Sequence, residues 1–76
     1  MKSLAQRLIE ARTPDNELYI NLVLRWIAAG VDACVIDGRI ETRQGQLEPG
    51  SEHYEGWQQV TNIVIAYIAE TDETLR

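Results

Sequence analysis

One stretch, Pro14–Gly30 (PDNELYINLVLRWIAAG), does most to restrict what this chain can fold into. It carries helix punctuation at both ends and little polar surface between them. Thr13 suits an N-cap, and Pro14 loses nothing at the first helical position, where its missing N–H would be unpaired anyway. Asp15 and Glu17 then lie near the positive end of the helix dipole. Gly30 supplies a residue that can take the left-handed conformation just past a helix end. Inside, Glu17, Asn21 and Arg25 recur every four residues as one narrow polar stripe. Leu18, Leu22 and Trp26 flank it on one side, Ile20, Leu24 and Ile27 on the other, with Tyr19 and Val23 opposite. A surface helix normally has the reverse proportions, so this segment reads as the nearly buried central helix of a small domain.

The segments around it are punctuated too. Ser3 and Gln6 form a capping box that opens a first helix over residues 3–12, with Leu4, Leu8 and Ala11 as its apolar stripe. The residue before Pro14 is pushed out of helical space, so the first helix ends there and the second runs over 14–29. After Gly30 the apolar period shortens. Val31, Ala33 and Val35 alternate with their neighbours, and Asp37-Gly38 is a strong turn signal, which predicts a β-hairpin over 31–44. A two-residue turn pairs Val35 with Ile40 and sets Asp32 opposite Arg43, a favourable cross-strand charge pair. Gly45–Gly50 (GQLEPG) reads as a loop over 45–51. Ser51 caps a last helix over 52–70, with Gly56 weakening its first turns by about 1 kcal/mol. The acidic end, 71–76, is expected to fray. The predicted fold is a small α+β domain in the order helix, helix, β-hairpin, helix.

At 76 residues the chain makes one domain, which buries about three-fifths of its unfolded surface. The apolar share is nonetheless 45%. More apolar circumference is present on the second and last helices than three helices and a hairpin readily bury. A protein interface follows as an expectation, most simply a homodimer, since two-fold dimers are the commonest assembly. Helix faces and an open hairpin edge both offer routes to it. A contact patch is expected at His53, Tyr54 and Trp57, with Tyr19, Val23 and Tyr67 as further interface candidates, because aromatics are enriched at binding hot spots.

Twelve acids against seven bases leave a net charge of −5. That disfavours non-specific nucleic-acid binding and anionic membranes. No signal-peptide pattern and no bilayer-length apolar run is present, and the single cysteine, Cys34, suits a reducing compartment, so the expectation is a cytoplasmic protein. Catalytic machinery is missing by pattern. His53 is the one histidine, a Cys34–His53 nucleophile pair would place its thiol in mid-strand, and no phosphate loop, nucleophile elbow, cofactor motif or metal-ligand spacing occurs. The leading reading is a non-enzymatic regulator or inhibitor that binds and occludes a protein partner which the sequence does not identify. Two rivals stand beside it. A winged-helix DNA-binding regulator would use Pro14–Gly30 for recognition, Arg39 and Arg43 on the wing, and Arg12 and Arg25 nearby. An acidic nucleic-acid mimic would use Glu48, Glu52 and Glu55, or Glu70, Asp72 and Glu73.

Overall fold

The structure, a computed structural model, describes the backbone of residues 2–75 and the side chains of residues 2–71. Four helices follow one another: α1 (Leu4–Ala11), α2 (Glu17–Ala28), α3 (Ala33–Gln44) and α4 (Glu52–Leu75). The expected α+β class is therefore corrected to all-helical, and no strand occurs among the described residues.

The hairpin expected over 31–44 is α3. Hairpin pairing would have turned Val31, Ala33, Val35, Ile40 and Thr42 to one face and left Ile36 on the other. The helix instead brings Ile36 and Ile40, four apart, onto one stripe, where both are completely buried. A lone two-stranded ribbon is marginal in water, and its return strand, RIETRQ, has one apolar residue among good helix formers. Gly38 is spent in mid-helix, and its φ is not positive, so Asp37-Gly38 makes no turn. Asp32 precedes the helix in extended conformation, without a side-chain cap, and the Asp32–Arg43 pair does not form.

Three of the helix signals elsewhere act as they read. Ser3 and Gln6 make both bonds of the capping box. Past α2, Gly30 has φ +86°. The Gly30 N–H donates to Ile27 O and the Val31 N–H to Trp26 O, each at 3.0 Å, the two bonds of a Schellman stop. The hydroxyl of Ser51 accepts from the Tyr54 N–H at 3.3 Å and opens α4. Two boundaries differ. Residues 14–16 form a turn, so α2 begins at Glu17 rather than at Pro14, with Asn16 and not Thr13 at its N-cap, and it buries only Tyr19, Ile20 and Val23 rather than nearly its whole circumference. The last helix continues through Leu75 instead of fraying from 71, and Arg76 lies outside the described residues.

The α1–α2 corner is organised by Asn16, which is only 3% exposed. Its Oδ1 accepts the Thr13 N–H at 2.7 Å, while its Nδ2 donates to Ala11 O at 3.0 Å and to Gln59 Oε1 at 3.2 Å. One side chain thus ties the corner to α4. The core gathers Leu4 and Leu8, Tyr19, Ile20 and Val23, Ile36 and Ile40, and Trp57, Val60 and Val64, so every helix contributes. Gln44, at the end of α3, donates to Tyr54 O and Gln58 Oε1 near the start of α4, which folds these two helices back on each other.

Candidate interaction surface

Three helices converge on one face, and the spacing along each decides what is presented there. On α2, Tyr19 and Val23 point to the core, so the next stripe round, Leu18, Leu22 and Trp26, emerges beside it. Leu18 is 69% exposed, and Leu22 and Trp26 are half-buried. On α3, the stripe beside Ile36 and Ile40 is Val35, Arg39 and Arg43, all exposed. On α4, Trp57 is buried, and His53, one turn earlier, is exposed. A groove of about 410 Å³ runs between Leu18, Leu22, Arg25, Arg43, His53 and Trp57. It adjoins a second depression of about 500 Å³ edged by Trp26, Arg39 and Arg43.

The floor is aromatic and fixed. Trp26 and Trp57 stack nearly parallel, 10° apart, with centroids 6.3 Å apart. Tyr19 leans on Trp57 at 5.0 Å and meets the edge of His53 at 6.0 Å. The Tyr19 ring lies on Gly56, where a Cβ would stand 2.2 Å from Tyr19 Cε2. Gly56 is therefore the opening in α4 that admits the ring. The Tyr19 hydroxyl and His53 Nδ1 share a hydrogen bond of 2.6 Å, with the phenol donating whenever the imidazole carries its proton on the other nitrogen. Burial raises the Tyr19 hydroxyl pKa above its ordinary value, and the negative charge of Glu52 adds to this.

Guanidinium groups edge this floor. Arg39 stands 5.3 Å and Arg43 5.4 Å from the Trp26 ring centre, and Arg43 also lies 5.8 Å from that of Trp57. Arg25 lines the same groove as Arg43. None of Arg25, Arg39 and Arg43 has a carboxylate partner among the described residues, although the chain carries twelve acids. Other cations are committed: Lys2 to Glu10 at 2.7 Å, and Arg7 to Glu70, a pair that joins α1 to α4. Arg12 donates to Asn21 Oδ1 at 3.0 Å.

Of the interface candidates named from sequence, Tyr19, His53 and Trp57 meet at this groove. Val23 does not reach any surface, being completely buried. Tyr54 is half-buried at the α3–α4 junction, where its carbonyl accepts from Gln44. Tyr67 is also apart, half-buried beneath the Arg7 guanidinium at 5.4 Å. The residues missed are Leu18, Leu22, Trp26, Arg25, Arg39 and Arg43 as a set. Their signal was the four-residue spacing Val35-Arg39-Arg43, which carries meaning only once 33–44 is helical.

Glu48, Glu52 and Glu55 are exposed, Glu70 is paired with Arg7, and the side chains of Asp72 and Glu73 lie outside the described residues. Cys34 is exposed on α3. Among the described residues no group of three or more His, Cys, Asp and Glu is placed to hold a metal ion, and no helix is long and apolar enough to cross a membrane. Compared with protein-family models, curated proteins and solved structures, the chain matches none.

Proposed function

We propose that this protein is a non-enzymatic, cytoplasmic interaction module, a regulator or inhibitor that binds a protein partner through the α2–α3–α4 face and occludes it. One observation carries the reading: stacked aromatics, exposed Leu18, and three guanidiniums without a carboxylate partner among the described residues share one surface. A fold of this size gains stability by burying Leu18 and by pairing its arginines internally. Leaving both to solvent on the same face suits a surface completed by another molecule. A winged-helix reading has less to stand on, because the described residues contain no hairpin to serve as a wing and α2 turns Tyr19, Ile20 and Val23 into the core. A homodimer formed through this same face is the second reading, favoured by the 69% exposure of Leu18.

The test is a pull-down from native lysate, with nuclease, using the wild type, Leu18→Glu, and Ile65→Glu as a control on the α4 surface, which is 50% exposed. The expected result is a stoichiometric protein captured by the wild type and Ile65→Glu but not by Leu18→Glu, with circular dichroism showing all three folded. Capture that is indifferent to Leu18→Glu, or that vanishes with nuclease, overturns the assignment. Light scattering on the same samples decides the dimer reading, which requires a mass of two chains for the wild type and one for Leu18→Glu.

A further inference from the structure

We infer that the segment received by the α2–α3–α4 face is acidic: a peptide stretch of the partner in which carboxylates alternate with apolar residues. The inference rests on the reading of this face as a docking surface and adds what the surface recognises. Stacking on indole engages the flat face of a guanidinium and leaves its in-plane N–H donors unspent. Arg39 lies over Trp26, and Arg43 over Trp26 and Trp57, with no carboxylate partner among the described residues, so their N–H donors remain for a carboxylate, which a guanidinium fork can bind through two parallel bonds. Arg25, from α2, supplies a third cation to the same groove. Leu18, Leu22 and the aromatic floor line the same groove as Arg25 and Arg43, so apolar contacts are interleaved with cationic ones. The groove, at about 410 Å³, has room for side chains.

Nucleic acid fits the same features less well. Trp26 already stacks on Trp57 and carries two guanidiniums, so it is no open platform for a base. Glu17 lies one turn from Asn21 on the same stripe of α2, and Glu52 acts on Tyr19 beneath the groove, so a continuous phosphate chain meets negative charge where separate carboxylates need not.

The experiment is a selection from a random peptide display library on immobilised wild-type protein, counter-selected on the triple variant Arg25→Gln, Arg39→Gln, Arg43→Gln. The recovered peptides are measured by the fluorescence of Trp26 and Trp57, the two tryptophans of the chain. The expected peptides are rich in Glu and Asp interleaved with apolar residues, and they change that fluorescence. Their affinity falls at least about tenfold in the triple variant. It weakens further with salt, and Glu→Gln versions of the peptides lose binding in parallel. Circular dichroism confirms that the variant is folded, and Arg43→Lys, which keeps charge without the fork, retains part of the affinity.

Peptides that bind with no acidic enrichment, equally in both proteins and blocked by Leu18→Glu, overturn the acidic occupant while leaving the docking face in place. No enrichment, or binding indifferent to Leu18→Glu, overturns both. A fluorescein-labelled single-stranded oligonucleotide is titrated alongside, and arginine-dependent binding of it at the peptide's affinity also overturns the proposal. Self-association of the wild type that blocks peptide binding would give the face to a second copy instead.

Discussion

Replacing Gly38 by alanine should stabilise the protein, and the sign of that change separates the two structures available to residues 31–44. Gly38 sits in the interior of α3 without a positive φ, and a Cβ added there meets no atom within 4 Å. The bond from the Thr42 hydroxyl to Gly38 O, 3.0 Å long, uses only backbone at this position and is retained. Alanine is better than glycine by about 0.8–1.0 kcal/mol in a helix interior, because the unfolded chain has less freedom to lose. With no steric cost to subtract, Gly38→Ala should gain close to that amount. For a chain of this size, 1 kcal/mol raises the melting temperature by about 4–8 °C. A type I′ hairpin at Asp37-Gly38 would require positive φ at Gly38, where alanine costs about 1–2 kcal/mol and the melting point would fall. Thermal melts followed by far-UV circular dichroism, at two protein concentrations to exclude a shift in association, read the sign directly. A lower melting temperature for Gly38→Ala would refute the helical assignment of this segment.

The other helical glycine should respond in the opposite direction: Gly56→Ala forces a Cβ to within 2.2 Å of Tyr19 Cε2, and overpacking of this kind costs about 1–3 kcal/mol. A melting temperature at or above wild type would show that the Tyr19 ring does not lie there. Asn16→Ala leaves the Thr13 N–H, Ala11 O and Gln59 without their partner, so urea denaturation should report a loss of about 1–3 kcal/mol; a neutral result would discount the corner network. Tyr19 is held above the ordinary tyrosine pKa, so its contribution is complete below about pH 10 and is lost as pH rises through the folded value. The urea midpoint should fall on going from about pH 9 to about pH 11, and fall less in Tyr19→Phe; an equal fall in both proteins removes Tyr19 as the cause. At the acid end, the hydrogen bond from Arg7 holds the Glu70 carboxyl below its ordinary value, against a smaller opposing effect of burial. Stability from that pair is present above a pH of about 4.5 and lost below it, so Glu70→Gln should flatten the acid limb of the stability profile, and an unchanged limb would remove the pair from the account.

What was legible in the sequence was most of the punctuation and the existence of the second helix, but not its burial, since only Tyr19, Ile20 and Val23 of α2 are buried. Ser3-Gln6, Gly30 and Ser51 each satisfy a specific orphan group at a helix end, and such local bonds depend on few distant residues. Tyr19 and Val23 were correctly opposite the polar stripe of α2, but that position proved to be core, which is why Val23 cannot serve an interface. The segment 31–44 misled because it satisfies both periods at once: alternation holds for Val31, Ala33 and Val35, and helical spacing holds for Ala33, Ile36 and Ile40. The tie is broken by tertiary packing, since only a helix buries both Ile36 and Ile40 against α4. Asn16 was hidden for a related reason. Its value lies in reaching Gln59, forty-three residues away in the chain, and no local pattern announces that.

The same correction relocates the arginines. In a hairpin, Arg39 and Arg43 lie on one strand with the same orientation as Glu41, so acids and bases share a face. In a helix, Arg39 and Arg43 stand on one flank of the Ile36–Ile40 stripe and Asp37 and Glu41 on the other, so α3 separates its charges by sign. The basic flank turns toward Trp26 and Arg25, and the acidic flank turns away from them. A chain that is acidic overall thereby acquires one locally cationic surface. Because this surface arises from helical spacing alone, any substitution that unwinds α3 should abolish it together with the burial of Ile36 and Ile40. On the proposed docking reading, partner binding and the integrity of α3 are then one equilibrium, and Gly38→Ala, which strengthens the helix without touching the groove, should preserve affinity while raising stability.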